Sequence, residues 1–167
     1  LTHKGDWKHA WDFEITDDRN LTYSAEGLSR EDYFCYNKPV IAPADGRVEE
    51  LVDDVEENEV GEMNADQNWG NAIVLRHGDF LYSKLSHLKK GSMKVAPGDH
   101  VKKGDMLAAC GNSGRSPVPH LHFQIQSTPF IGSKTLDHPI GHFMVNQKGN
   151  YSLKTFQVPE ISTSVSN

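Results

Sequence analysis

An all-β antiparallel fold with a barrel-like or sandwich core is the expectation, and three observations lead to it. The stretch His120-Leu121-His122-Phe123-Gln124-Ile125-Gln126 alternates polar and apolar residues strictly, the mark of a strand whose alternate side chains share one face. No segment carries a convincing 3.6-residue apolar period, the signature of an amphipathic helix. From Val95 to Ala108 a V…G…V…G…L rhythm (Val95, Gly98, Val101, Gly104, Leu107) describes short strands joined by tight glycine turns.

Taken in order, Trp11 to Ile15 alternates as a first strand. Residues 16 to 37 are polar and turn-rich, with room for one short helical turn at Ser29-Arg30-Glu31-Asp32. Pro39 to Pro43 is extended, Asp45-Gly46 is a hairpin-type turn signal, and Val48 to Val52 resumes as a strand. Asn71 to His77 forms a strand that Gly78-Asp79 turns back, so that Phe80 to Leu88 returns antiparallel. Val95 to Val101 and Lys103 to Ala108 are two spaced elements, expected to give short strands joined by tight glycine turns. Gly111 to Pro117 is a loop feeding the His120 strand, on which Leu121, Phe123 and Ile125 are expected to face the core. A C-terminal hairpin is expected from Gly141–Asn146 and Tyr151–Phe156, turned at Lys148-Gly149-Asn150, and the polar tail from Ser162 is expected to be disordered.

A chain of 167 residues is long enough for one domain with one sizeable core. At 37% hydrophobic and 24% charged residues it has the balance of a soluble globular protein, and no stretch approaches the ~18 consecutive apolar residues of a membrane span. No charged-then-apolar leader opens the sequence, which starts at Leu1 and so reads as a mature form or a fragment. The net charge of −6 is unevenly spread. Nine acidic residues fall between Glu49 and Asp66, and elsewhere 17 basic residues face 14 acidic ones. Without a basic stripe interleaved with aromatics, nucleic acid is not an expected partner. The acidic run lacks the regular spacing of a calcium-binding EF-hand loop and reads as a solvated loop. Cys35 and Cys110 sit among apolar neighbours and read as small buried thiols, with one bridge between them left open.

The chemistry is expected at the histidine pair. His120 and His122 point the same way from one strand, where two imidazoles can share a metal ion, or one can hold it while the other moves protons. Hydrolytic zinc sites usually take three protein ligands and leave the fourth position to water. The place to look for the rest is His3-Lys4-Gly5-Asp6-Trp7-Lys8-His9-Ala10-Trp11-Asp12-Phe13. Here a carboxylate stands in a strand among aromatics, a costly arrangement unless a cation meets it.

From His3 to about Gln126 the chain resembles the lysostaphin-like zinc metallopeptidases, peptidase family M23, which cleave peptides of bacterial cell walls. The resemblance rests on motifs in order: His…Asp ahead of a strand; Pro39-Val40-Ile41-Ala42-Pro43-Ala44-Asp45-Gly46-Arg47-Val48; Gly70-Asn71-Ala72-Ile73-Val74-Leu75-Arg76-His77; Tyr82-Ser83-Lys84-Leu85-Ser86-His87-Leu88; the valine–glycine rhythm; and Gly111-Asn112-Ser113-Gly114-Arg115-Ser116 leading to Pro119-His120-Leu121-His122-Phe123. It implies the fold of that family, an antiparallel sandwich of duplicated hybrid motifs over residues 1–127. Residues 128–167 would be a C-terminal hairpin extension packed on the same domain. It also implies one Zn2+ per chain, held by His122, Asp12 and an upstream histidine, with His120 and His87 as assisting, non-ligand histidines. The substrate would be peptidoglycan or a peptide, and the location extracytoplasmic.

One departure stands out. The family's commonest spacing, H-x3-D, would put a histidine where Lys8 stands. His3 is the favoured ligand and His9 the alternative, because residues three apart on a regular strand face opposite sides, which sets His9 against Asp12. A ligand so near Leu1 would fray, so native sequence ahead of it is expected. His77, His100, His138 and His142 read as strand-end, surface or loop residues. Asn71 and Trp69 read as packing or loop-ordering residues, and Arg115 and Ser116 as neighbours of the groove. Two rival functions remain at this level. One is a non-catalytic docking module on the same fold. The other is a carrier domain of the hybrid-barrel type, disfavoured because the Asp45-Gly46-Arg47 turn offers no lysine for a swinging arm.

Overall fold

A computed structural model describes residues 5–147, 149–160 and 165–166, so His3 lies outside the described residues. These residues form eleven strands: β1 (Trp11–Phe13), β2 (Pro39–Ile41), β3 (Gly46–Val52), β4 (Asn71–Gly78), β5 (Leu81–Leu88), β6 (His100–Val101), β7 (Met106–Ala109), β8 (Leu121–Gln126), β9 (Ile140–Gln147), β10 (Asn150–Gln157) and β11 (Val165–Ser166). Every pairing between them is antiparallel. The only helical element among the described residues is a 3-10 turn at Arg30–Asp32, where Ser29 and Asp32 form a reciprocal capping box. Among the described residues no helix is long and apolar enough to cross a membrane. The fold is all-β.

The chain divides into two compact units, Leu1–Leu136 and Asp137–Asn167. The first is built on a six-stranded sheet of order β1-β8-β5-β4-β3-β6, accompanied by the β2–β7 pair. Its core gathers Val48, Ile73, Leu75, Leu85, Leu88 and Leu107, all at most 2% exposed. Burying each such side chain is worth roughly 1.5–3 kcal/mol, which makes the sheet a rigid platform. The second unit is a three-stranded sheet, β10-β9-β11. The expected hairpin is there, with Asn150 opposite Gln147, and the tail does more than the polar composition suggests, since Val165 and Ser166 pair with β9.

Two details depart from the sequence expectation. Asp45-Gly46 does not close a hairpin, because β2 pairs with β7 whereas β3 pairs with β4 and β6. The glycine-spaced segment does give the expected short strands, β6 and β7, with Gly98 and Gly104 at left-handed φ values of 97° and 92° turning the chain ahead of each. On β8 the more deeply buried face is the polar one: His122, Gln124 and Gln126 are buried, whereas Leu121, Phe123 and Ile125 are half-buried. Leu121 and Phe123 still pack against the core, so β8 is covered on both sides. The acidic run is also less solvated than its composition implies. Glu57 accepts hydrogen bonds from the Tyr36 hydroxyl (2.6 Å) and the Asn112 amide (2.9 Å). Cys35 and Cys110 are free, buried thiols, and the Cys35 thiol donates to the Pro119 carbonyl at 3.0 Å, just ahead of His120.

Candidate active site

Three strands and a loop deliver the site. β1 lies beside β8 with Asp12 opposite His122, and β5 lies on the other side of β8 with Ser86 opposite His122. Asp12 Oδ1 lies 2.9 Å from His122 Nδ1 and 3.7 Å from His120 Nε2. The His87 ring reaches the same point from the end of β5, its centroid 4.8 Å from that of His120 and 5.8 Å from that of His122. Its backbone has φ = 62°, a left-handed conformation that costs a non-glycine residue about 1–3 kcal/mol and is found where a side chain must be re-aimed.

Backbone carbonyls decide which ring nitrogens are free. His87 Nδ1 is 2.8 Å from the Ser113 carbonyl, and His120 Nδ1 is 2.9 Å from that of Val118. A carbonyl only accepts, so both rings carry their proton on Nδ1 and leave Nε2 as a lone pair. Burial, and then the neighbouring His120 and His122, push His87 down to about 3, so it stays neutral throughout the physiological range. Partial desolvation in the cleft raises the Asp12 carboxyl. The hydrogen bond with His122 and the surrounding imidazoles outweigh it and hold that carboxyl below the usual carboxylate range. Imidazole lone pairs beside an ionised carboxylate form a donor set that suits a borderline cation such as zinc. Asp12 and His122 fit as two ligands. Among the described residues no group of three or more His, Cys, Asp or Glu side chains is arranged to hold an ion. His3 lies outside those residues, and His9 is not in the lining of the cleft; its backbone amide donates to Thr135 Oγ1 at 3.0 Å.

The cleft, of about 410 Å³, is walled by Trp7, Trp69, Arg115 and Pro117 as well as by the histidines and Asp12. Trp69 packs edge-on against Trp7 (5.6 Å) and tilted against His122 (5.3 Å), and the Arg115 guanidinium lies 5.3 Å from the Trp7 ring centroid. The sequence reading placed Arg115 correctly at the groove but gave Trp69 only a packing role. Ser116 is buried, its hydroxyl 3.1 Å from His120 Nδ1, and Asn71 ties Val55 and Leu88 together through its amide. His77 bridges the Asp45 carbonyl and the Ser83 hydroxyl, a strand-end role away from the cleft.

Two glycines let the loop that carries Ser113 approach the segment that carries Trp69. Gly70 (φ 60°) and Gly114 (φ 77°) face each other, and a Cβ on Gly70 would overlap the Ser113 carbonyl while one on Gly114 would overlap the Gly70 backbone. Gly70→Ala is therefore expected to destabilise the protein by about 1–3 kcal/mol, read as a lower midpoint in urea. The same change should displace the carbonyl that orients His87. An unchanged midpoint would mean that the two loops are not pressed together.

An all-β scaffold that brings two buried imidazoles, a half-buried one and a carboxylate to one cleft defines a candidate metallohydrolase. The chain belongs to peptidase family M23, whose sequence profile matches residues 31–137. An uncharacterized metalloprotease of Haemophilus influenzae is 40% identical over 86 residues, which is 52% of this chain and 15% of that protein. Among solved structures, a putative peptidase M23 from Pseudomonas aeruginosa is similar over 81% of this chain and 42% of its own, at 18% identity and a TM-score of 0.50, a likeness of fold. The catalytic domain of lysostaphin from Staphylococcus simulans is similar over 76% of this chain and 85% of its own, at 24% identity and a TM-score of 0.47.

Proposed function

We propose that the cleft is the active site of a zinc-dependent metalloendopeptidase acting on cell-wall peptides, cross-links or stem peptides, outside the cytoplasm. One zinc per chain is assigned to Asp12, His122 and a histidine ahead of β1, His3 in preference to His9. The observation that carries this reading is the meeting of Asp12, His87, His120 and His122, brought from three distant parts of the chain to one cleft. Zinc, when bound, would polarise a water molecule and lower its pKa towards ~7.

The chain's own residues do the rest. His120 and His87 each present Nε2 to the cleft; His120 is assigned as the proton acceptor whose imidazolium then meets the leaving amine, while burial keeps His87 a neutral partner beside it. Hydrogen bonding to a developing oxyanion needs that same protonated form, because Nδ1–H of both rings is already committed to backbone carbonyls. Trp7 and Trp69 supply flat apolar walls for a peptide backbone, and Arg115 supplies a positive charge at the rim.

The test is hydrolysis of purified peptidoglycan, followed as release of new amino groups with and without a zinc chelator. Chelator-sensitive release that zinc restores, with one zinc per chain by elemental analysis, is the expected result. Absence of both release and zinc uptake would overturn the proposal in favour of a docking module.

A further inference from the structure

Of the five arginines in the chain, four meet a carboxylate: Arg19 with Asp17, Arg30 with Glu59, Arg47 with Glu49 and Arg76 with Asp79. The fifth, Arg115, stands exposed in the lining of the cleft, and among the described residues no carboxylate lies within ion-pair distance of it. An unpaired guanidinium is ordinary on an open surface, but this one is mounted on a tightly pinned loop. The Asn58 side-chain amide donates to the carbonyls on either side of it, Gly114 (2.7 Å) and Ser116 (3.0 Å). The Arg115 amide donates to the Asn68 carbonyl at 2.9 Å, and the Asn64 and Gly61 amides donate to the carbonyls of Gly114 (2.9 Å) and Pro117 (2.7 Å). The end of the acidic run and the residues just after it thus serve as a frame for this loop. From that frame the guanidinium reaches over Trp7, 5.3 Å from the ring centroid, and Trp7 leads through Trp69 to His122. An indole face attracts the cation but offers no lone pair in the plane of the fork, so the N–H donors remain for a ligand.

We propose that Arg115 is a specificity-determining residue: it binds a carboxylate of the substrate and so selects peptides that carry one near the bond to be cleaved. A carboxylate matches the guanidinium fork with two parallel hydrogen bonds. The pairing gains most where the fork is already held in place, because little freedom is left to lose on binding. The other charged side chains of the cleft are Asp12, assigned to the metal, and Glu14, which repels an anion. Arg115 is therefore the lining side chain that attracts one. That the carboxylate belongs to a peptide rests on the metallopeptidase reading; the match between fork and carboxylate does not.

The test uses the full chain supplied with zinc and a synthetic cell-wall stem peptide in three forms: carboxylates free, the internal carboxylate amidated, and the terminal carboxylate amidated. Calorimetry reads affinity, and release of amino groups reads hydrolysis. Amidation of one of the two positions is expected to weaken wild-type binding about 10-fold and to raise KM to match. Which position responds tells whether Arg115 meets an internal carboxylate or a chain end. Arg115→Gln, at an exposed side chain, is expected to keep the wild-type urea midpoint and to bind all three forms alike. Arg115→Lys keeps the charge without the fork and should retain only part of the preference. Equal wild-type affinity for the three forms overturns the proposal even if all are cleaved, as does binding of none, or a preference that survives in Arg115→Gln. Inorganic phosphate that displaces the peptide from Arg115 while amidation changes nothing overturns it in favour of a phosphate ligand. An Arg115-dependent preference for the free acid, with neither hydrolysis nor zinc uptake, upholds carboxylate recognition and overturns the metallopeptidase reading instead.

Discussion

His120→Ala is expected to lower kcat on a cell-wall peptide by about 10²–10⁴-fold, the usual contribution of a positioned acid–base group, while leaving the bound zinc at one per chain. His122→Ala should instead lose the zinc, and with it all turnover. The contrast follows from position. Both side chains are near Asp12, but only His122 turns a ring nitrogen to within 2.9 Å of the carboxylate, whereas His120 Nε2 stands at 3.7 Å. His120 is held from behind by the Val118 carbonyl and the Ser116 hydroxyl, which fixes its proton on the far side and leaves Nε2 open to the cleft. Elemental analysis of the two purified variants beside their kinetics checks the division. If His120→Ala loses zinc as well, the ring is a ligand and the assignment of roles fails.

Lys84→Met is expected to stabilise the protein by about 1–3 kcal/mol, the cost of a buried donor left without a hydrogen-bond partner. Lys84 stands on β5 opposite Gln124, fully buried, and its Nζ has no hydrogen-bond partner. The amine rests on the face of Trp69, 2.8 Å from the ring centroid, a weak substitute for hydration. Burial pushes Lys84 down to about 6, against smaller opposing effects from Asp6 and Glu50. The sign of the pH dependence follows. Between about pH 6 and the unfolded value near 10.4, the unfolded chain binds a proton that the folded chain does not. Stability should therefore rise with pH across that window, by about 1.4 kcal/mol per unit where the difference is one full proton. Below pH 6 both states are protonated and this contribution to the slope vanishes. Urea titrations of wild type and Lys84→Met from pH 6 to 9 measure it. An equal slope in both proteins, or a less stable variant, would show that Lys84 is not the group responsible.

Much of the scaffold could be read locally. The β4–β5 hairpin is written in Gly78-Asp79 and its flanking apolar runs, the C-terminal hairpin in Lys148-Gly149-Asn150, and the capped turn in Ser29 to Asp32. The strand carrying His122 announced itself by alternation, although it begins at Leu121 and leaves His120 just ahead of it rather than on it. Other features could not be read this way, for reasons that are physical. The β2–β7 pairing joins segments some seventy residues apart, and no local turn chemistry specifies such a contact. Alternation identifies two faces but not which is wet, and the usual assumption of one solvated face failed on β8, where hydrogen bonding makes a polar face suitable for burial. Trp69 carried no pattern of its own; only the approach of Gly70 and Gly114 turns its ring into a wall of the cleft. The gathering of His87 with Asp12 and His122 was expected from family resemblance, since it depends on the order of strands in the sheet, which spacing alone does not encode.

Behind His122, Gln124 Oε1 lies 2.9 Å from the ring Nε2, the Gln124 amide donates to Gln126 Oε1, and the Gln126 amide donates to the main chain at Thr128 and Phe130, past the last residue of β8. A protein shortened to stop at residue 127 would keep every imidazole and carboxylate of the cleft, yet the glutamine amides behind His122 would lose the carbonyls that hold them. For anyone trimming this molecule, the shortest piece that keeps the whole apparatus runs on through the loop to Leu136, the end of the first compact unit.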